Sequence, residues 1–515
     1  MNIIIAFAYL AFFVFLIYKL KFFRIDGLSH KFICLLFFVK ILCGYCLVWV
    51  YTYYYKDRST ADIYKYFDDS KAIFDSLLVN PKHFLQLVFG IHPDAEYLQI
   101  YTQKSINWAH QTNEYVNFLS VTDYDFFDST RMMIKLNAVL RIISFGNYHV
   151  HLLFFCFLSL TGLTCIYKAF KSYFFDKKTE FIICVFFIPS SLFWCSGVLK
   201  ESLLIFSVGL LVYNLMAMTD KGFTFKNLLG IVISLFFMLI MKYNYLLSLI
   251  PAITAFAWVA VTNNKRVLIK YVSVCMMLLL MIFMAVKFFP SYNPFYILAE
   301  KQKEQIKIGR GGEYYIRTHS NITDTLFFDM NEKIVEKPIN EKKKIVQIVS
   351  DVCGYKFTKG EIGDKVFITA GDTDKQVFKK MLVFPRAGSY IEMSRLKPDF
   401  RSFIKGLPNA LINIFLRPHI FEAESSLILL AALENTLIFL ILLLCLSFTK
   451  INKSHLNILL FLIIWVFSIM ILAGLTTPVL GTLVRLKAPI IPLFLITLLL
   501  IFNKKKFMEI IDRFM

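Results

Sequence analysis

Three carboxylates, Asp62, Asp68 and Asp69, follow closely on a long apolar run that ends near residue 53. A carboxylate at a membrane surface can take the proton from an acceptor hydroxyl. When the leaving group is a lipid phosphate, one base and a few cations suffice; glycoside hydrolysis instead needs two carboxyls. Asp62 opens an amphipathic stretch that runs to Phe74 and lies nearest the apolar run, so it is the first choice of base. Asp128 and Glu201 are next in line. The plain alternative is a solvated acidic face beside Lys65 and Lys71.

The cations come from elsewhere in the chain. Pro189, Ser190, Ser191 and Gly197 interrupt an apolar block, after which Lys200 and Glu201 open the next helix. Charges at a membrane rim mark functional sites unless they merely pair to end a helix. Arg485 and Lys487 enter the last apolar run, and Arg417 precedes the ninth. Arginine grips phosphate bidentately, whereas lysine acts as a point charge. Lys200, Arg417 and Arg485 are therefore candidates for an outward anion site, with interfacial snorkelling as the alternative. Glu434 and Asn435 lie inside an apolar run. They read as a coupling site or, preferably, as partners for a basic group or a backbone donor in the bundle.

Positioning these residues falls to membrane helices. The chain has 515 residues, 57% hydrophobic and 18% charged, against about half and a quarter in soluble domains. About 20 apolar residues cross a hydrocarbon core as a helix. Eleven spans are expected, near 3–18, 32–53, 149–167, 180–196, 200–218, 227–242, 245–262, 270–288, 425–448, 456–474 and 487–502. Turns are expected near Cys195 to Gly197 and near Tyr243 and Asn244. Alternate connections are basic, holding Lys19 to Lys31, Lys168 to Lys178, Lys221 and Lys226, Lys265 to Lys270, Lys450 and Lys453, and Lys504 to Lys506. The positive-inside rule puts these in the cytoplasm, with the C-terminus. The N-terminus and the segments 54–148 and 289–424 are then outside.

The net charge of +20 resides largely in those connections, so nucleic acid is not the expected partner; the lipid bilayer is. The first span has no preceding positive region and does not read as a secretory signal. Ten cysteines and nine histidines show no disulfide, zinc or HExxH pattern, and no nucleotide-binding loop occurs. The segment near 300–400 is polar, with strand-like Lys365 to Ala370, and reads as a small mixed α/β insertion. Asn321 to Thr323 fits a glycosylation acceptor, more simply a chance match. Residues 408–424 read as an interfacial helix.

This layout resembles the GT-C class of polyprenol-dependent membrane glycosyltransferases. The resemblance rests on Asp62 to Ala72 after the second span and on Pro189 to Glu201 at a short outer turn. It implies a seven-helix core over 32–288 with a first outer loop 54–148. Before it come an extra helix and basic loop, 1–31; after it, an extracytoplasmic region 289–424 and a three-helix end 425–515. The extra first span and the long insertion depart from the class, and no acidic pair matches its motif cleanly. The resemblance implies transfer of a sugar from a polyprenyl-phosphate donor to an envelope glycan or lipid. It makes Asp62, Asp68 and Asp69 the catalytic candidates, names no certain cofactor, and leaves room for a divalent cation. Arg417, Glu434, Asn435 and Arg485 to Pro492 also resemble O-antigen polymerases, which act on lipid-linked repeats. A transporter or flippase is a third expectation, disfavoured because no inverted repeat is evident. A scaffold docking through 300–400 is a fourth. Lys, Ile, Asn and Phe usage suggests a bacterial inner membrane.

Overall fold

The computed structural model describes all residues except 1, 55–57, 59–60, 110–127, 263–264, 290–292, 318–324, 329–332, 341–343, 359–360, 369–376, 385 and 515. The Asn321 to Thr323 acceptor and the end of the Lys365 to Ala370 stretch lie outside the described residues.

The helices begin with α1 (Asn2–Lys19) and α2 (His30–Trp49), which continues as a π turn to Tyr54. The first long connection holds α3 (Asp62–Val79), α4 (Pro81–Phe89), α5 (Gln99–Thr102), α6 (Ile106–Ala109) and α7 (Ser129–Ser144). Next come α8 (Tyr148–Phe170), α9 (Lys178–Phe186), α10 (Pro189–Trp194), α11 (Lys200–Lys221), α12 (Phe225–Val261) and α13 (Val267–Phe288). Then α14 (Pro294–Arg310) leads into a sheet, and α15 (Phe400–Phe415) leads out. The chain ends with α16 (Ser426–Ser447), α17 (Leu456–Thr476), α18 (Leu480–Lys487), α19 (Ile491–Ile501) and α20 (Lys504–Phe514).

The protein is a polytopic helical membrane protein, but the expected eleven spans are not found. Among the described residues seven helices are long and apolar enough to cross a membrane, or eight if the bent pair α18–α19 is one span. Four local causes explain the difference. The expected span 3–18 is the shorter apolar helix α1. The expected span 180–196 is split, because Ile188 is extended (ψ 118°) ahead of Pro189. A residue before proline is pushed out of the helical region by the ring. The expected pair 227–242 and 245–262 is one element of 37 residues, α12, broken only at Lys242 (φ −154°, ψ 88°). The expected span 487–502 is bent by 62° between α18 and α19.

Helix packing is closest where side chains vanish. A Cβ on Gly209 of α11 would sit 2.0 Å from the Gly162 carbonyl oxygen of α8. Small residues at such crossings let helix backbones approach in lipid. Around this crossing one large core gathers α2, α8, α11, α12, α17 and α19, with Phe37, Phe170, Trp465 and Phe494 among its buried members. A second core under the first long connection packs Tyr66, Ile73, Trp108 and Ile134 together.

Four of the six basic connections, 19–31, 168–178, 450–453 and 504–506, meet at one end of this bundle. Lys168 donates to the Phe22 carbonyl at 3.0 Å and Lys171 pairs with Asp26 at 3.0 Å. Lys177 donates to the carbonyls of Leu499 and Phe502, and Lys504 to Glu180.

Where a small mixed α/β insertion is expected, the described residues form a seven-stranded sheet, β1 (Gly312–Arg317), β2 (Thr325–Phe328), β3 (Glu336–Asn340), β4 (Ile345–Ile348), β5 (Val352–Thr358), β6 (Glu361–Ile368) and β7 (Val377–Phe384). Its order is β3-β4-β7-β1-β2-β5-β6, and every pairing is antiparallel. Alternating apolar side chains give it a small core of Tyr315, Phe328, Ile348 and Phe378.

The sheet is tied back to the bundle at the foot of α18. Tyr390 bridges to Val479, and the Ser389 carbonyl accepts from Leu480 N at 2.9 Å. Gln302, buried on α14, donates to the Leu475 carbonyl at 2.8 Å.

Candidate functional site

Helix α3 is amphipathic, and its buried face carries Ile63, Tyr66, Phe67, Ser70 and Ile73 at helical spacing. Arg141 of α7 fixes it by donating to Ser70 Oγ at 2.7 Å and to the Phe67 carbonyl at 2.6 Å. This packing holds Asp62, in the first turn of α3, against the bundle. A carboxylate is favoured there by the helix dipole, as is Glu201 in the first turn of α11.

Six helices converge at this end of the bundle, of which α3, α11, α12 and α18 bring the charged side chains. Arg485 of α18 lies between two carboxylates, pairing with Asp62 through one guanidinium nitrogen and with Glu201 through the other at 2.9 Å. Its guanidinium also faces the Trp194 ring, 5.8 Å from the centroid. Lys65 pairs with Asp62. Lys242 pairs with Glu201 at 2.9 Å. Lys200 donates to Ser129 Oγ at 2.7 Å and Thr130 Oγ1 at 3.2 Å, at the start of α7. The Tyr66 ring lies between Lys65 and Lys200, 5.2 and 5.4 Å from their ammonium groups.

The cluster is largely withdrawn from solvent: Glu201 is 1% exposed, Arg485 17% and Asp62 20%. Four cations face two carboxylates, an excess of two positive charges. Burying an uncompensated charge costs several kcal/mol, so such an excess calls for an anion. It equally disfavours a divalent cation. Among the described residues no three His, Cys, Asp or Glu side chains are grouped to hold a metal.

Two carboxyls outside the spans differ in proton affinity. Burial alone would raise the Asp62 carboxyl, but Arg485 and Lys65 outweigh it and hold the group well below the usual carboxylate range. Asp128 goes the other way. Burial pushes it up, against hydrogen bonds from the backbone of Arg131 and Thr130 and the charges of Arg131 and Lys200. It caps α7 through Oδ1, while Oδ2 lies 3.3 Å from Arg131 Nε.

Of the residues expected from sequence, Asp62, Lys200, Glu201 and Arg485 come together, and Asp68, Asp69, Arg417, Glu434 and Asn435 do not. Asp68 forms a fork with Arg58, both contacts at 2.8 Å. Asp69 is buried and accepts from Asn107 N and Asn107 Nδ2 at 2.8 Å, holding the start of α6. Arg417 pairs with Glu422 at 3.0 Å, away from Arg485, so the expected three-cation site loses that member. Glu434 accepts from Ser190 N at 2.7 Å and Ser190 Oγ at 2.6 Å, satisfying one N–H in the first turn of α10 that has no partner within the helix. Asn435 joins the Phe415 carbonyl to Lys487.

Sequence reasoning missed Lys65 and Lys242 as members. Lys65 enters the sequence reading only as a neighbour of the acidic face in the plain alternative. Lys242 stood alone in an apolar run, a signal that an intramembrane charge has a partner.

Compared with known proteins, the chain matches no family model, no curated protein and no solved structure.

Proposed function

We propose that the chain is a membrane glycosyltransferase that takes a sugar from a polyprenyl-phosphate donor and passes it to an envelope glycan or lipid on the outer face. The observation that carries this reading is the excess of two positive charges in the Asp62–Arg485–Glu201 cluster, which matches a phosphate leaving group. The basic connections at the far end of the bundle support an outward-facing cluster.

The reaction follows from an exchange of partners. The donor phosphate competes with Asp62 and Glu201 for Arg485, Lys65 and Lys242. Lys200, whose hydrogen bonds go to two neutral hydroxyls, joins it. As the cations turn to phosphate, Asp62 loses the partners that depress its proton affinity and becomes a usable base. It then takes the acceptor hydroxyl proton as the glycosidic bond forms and the lipid phosphate departs, stabilised by the cations. Asp128, whose proton affinity is already raised, is the alternative base.

The test is glycan profiling of a deletion strain complemented with Asp62→Asn or Asp128→Asn. Loss of a general base costs roughly a hundred- to ten-thousand-fold in rate. The variant that loses output while keeping its membrane level identifies the base. An unchanged glycan profile in the deletion strain would remove the proposal. A second reading, a polymerase of lipid-linked repeats, is favoured by the central place of Arg485. Its deletion would leave single repeats instead of a missing sugar.

A further inference from the structure

At the opposite end of α17 from the Arg485 cluster the protein has a cavity of about 680 Å³. The 21 residues of α17 separate the two, at about 1.5 Å per residue a distance comparable to the hydrocarbon thickness. The cavity is held open by backbone contacts. Thr449 bridges to Phe502, Lys450 N donates to the Ile501 carbonyl at 2.8 Å, and Asn503 N donates to the Phe448 carbonyl at 2.8 Å.

Five lysines line it, against one carboxylate, Asp176. Two of the five are engaged: Lys177 with the carbonyls at the end of α19, and Lys504 with Glu180. Lys450, Lys453 and Lys505 have no side-chain partner among the described residues. Three exposed lysines around one recess suit a ligand with several acceptor oxygens and negative charge, which is the chemistry of phosphate.

The element next to it favours a lipid source. Helix α20 opens with Lys504, Lys505 and Lys506 and then presents Phe507, Met508, Ile510 and Ile511. Phe507 packs on Phe448 and Phe502 at 5.3 and 5.6 Å, which lays the helix across the end of the bundle. A basic amphipathic helix in this position lies in the headgroup plane.

We propose that this recess binds a phosphate-bearing anion, with an anionic lipid headgroup as its natural source. The site is independent of the glycosyl-transfer reading, since none of its residues reaches the Arg485 cluster.

Two probes test it on the purified full chain. One is phosphatidylglycerol offered in phosphatidylcholine nanodiscs, with retained lipid counted by native mass spectrometry. The other is inorganic pyrophosphate titrated in detergent. The variant K450Q/K453Q/K505Q removes the three unpaired cations, and thermal unfolding checks that it is folded. K265Q/R266Q, on another basic connection, is the control. Surface lysines contribute enough toward anionic headgroups that the triple variant should bind roughly a hundredfold more weakly, with the control unchanged. Lipid binding lost in the triple variant supports a headgroup site; pyrophosphate binding lost there, without lipid binding, supports a soluble phosphate. The proposal is overturned if neither probe binds the parent chain, if the triple variant keeps its affinity, or if the control weakens as much.

Discussion

Replacing Arg485 by alanine should destabilise the protein more than any other single change in the polar cluster. The guanidinium holds Asp62 and Glu201 at once, and Glu201 is 1% exposed. Its removal leaves Asp62 with Lys65 and Glu201 with Lys242, one cation for each carboxylate where there were two. Deleting one partner of a buried pair costs roughly 3–5 kcal/mol when the other is left uncompensated; here each carboxylate keeps a lysine, so the lower end is expected. Arg485→Lys keeps the charge but not the fork, since one ammonium cannot meet two carboxylates in fixed directions. It should recover about half of the loss. The informative variant is R485A/D62N, which removes one carboxylate together with the arginine and so keeps the cluster's excess at two positive charges. Its cost should be well below the sum of the separate changes, because the two side chains form one network. Reversible unfolding of the purified variants in mixed micelles measures all of these. An Arg485→Ala protein within about 0.5 kcal/mol of the parent would show that the ion pairs do not hold α18 to α3 and α11.

Other consequences are independent of that one. Gly209→Leu should prevent the α8–α11 crossing, because a Cβ there would lie 2.0 Å from a backbone oxygen; folded protein recovered from membranes measures it. Asp69→Ala should cost about 1–2 kcal/mol, as loss of a helix cap does, while transfer per folded molecule stays normal. The two perturbed carboxyls give opposite pH behaviour. Asp62, held below its usual value, stabilises fully above about pH 4 and loses that contribution only as the pH falls through its lowered native value, so Asp62→Asn should destabilise at pH 7. Asp128, held above its usual value, costs stability when ionised and is relieved as the pH falls through its raised native value. Asp128→Asn should therefore raise the unfolding temperature at pH 7 and lose that advantage in acid. Reporter fusions after residues 25, 173, 223, 267, 452 and 508 should read cytoplasm, and those near 100 and 350 outside; an inside signal near 100 would put Asp62 on the wrong face.

What the sequence alone determined was set by local composition. Long apolar runs specify membrane helices whatever surrounds them, since lipid leaves a backbone no other way to satisfy its hydrogen bonds. The amphipathic start of α3 and the charged opening of α11 were legible for the same reason: residue spacing alone gave the face of α3 and the end of α11. So were Asp62, Lys200, Glu201 and Arg485, as charges at a rim where charge is costly.

What only the tertiary structure decided was how interrupted runs break and which charges meet. Pro189 and Lys242 each interrupt an apolar run, yet at one the chain splits an expected span and at the other it bends a helix without ending it. Asp68 and Asp69 are adjacent and alike in sequence. One faces Arg58, and the other turns inward to hold α6, 38 residues away in the chain. The Arg485–Asp62 pair joins residues 423 positions apart. No local pattern encodes such a pairing; it exists because the fold brings α18 and α3 to the start of α11, where Glu201 opens that helix, and the free energy that does so is distributed over the whole core.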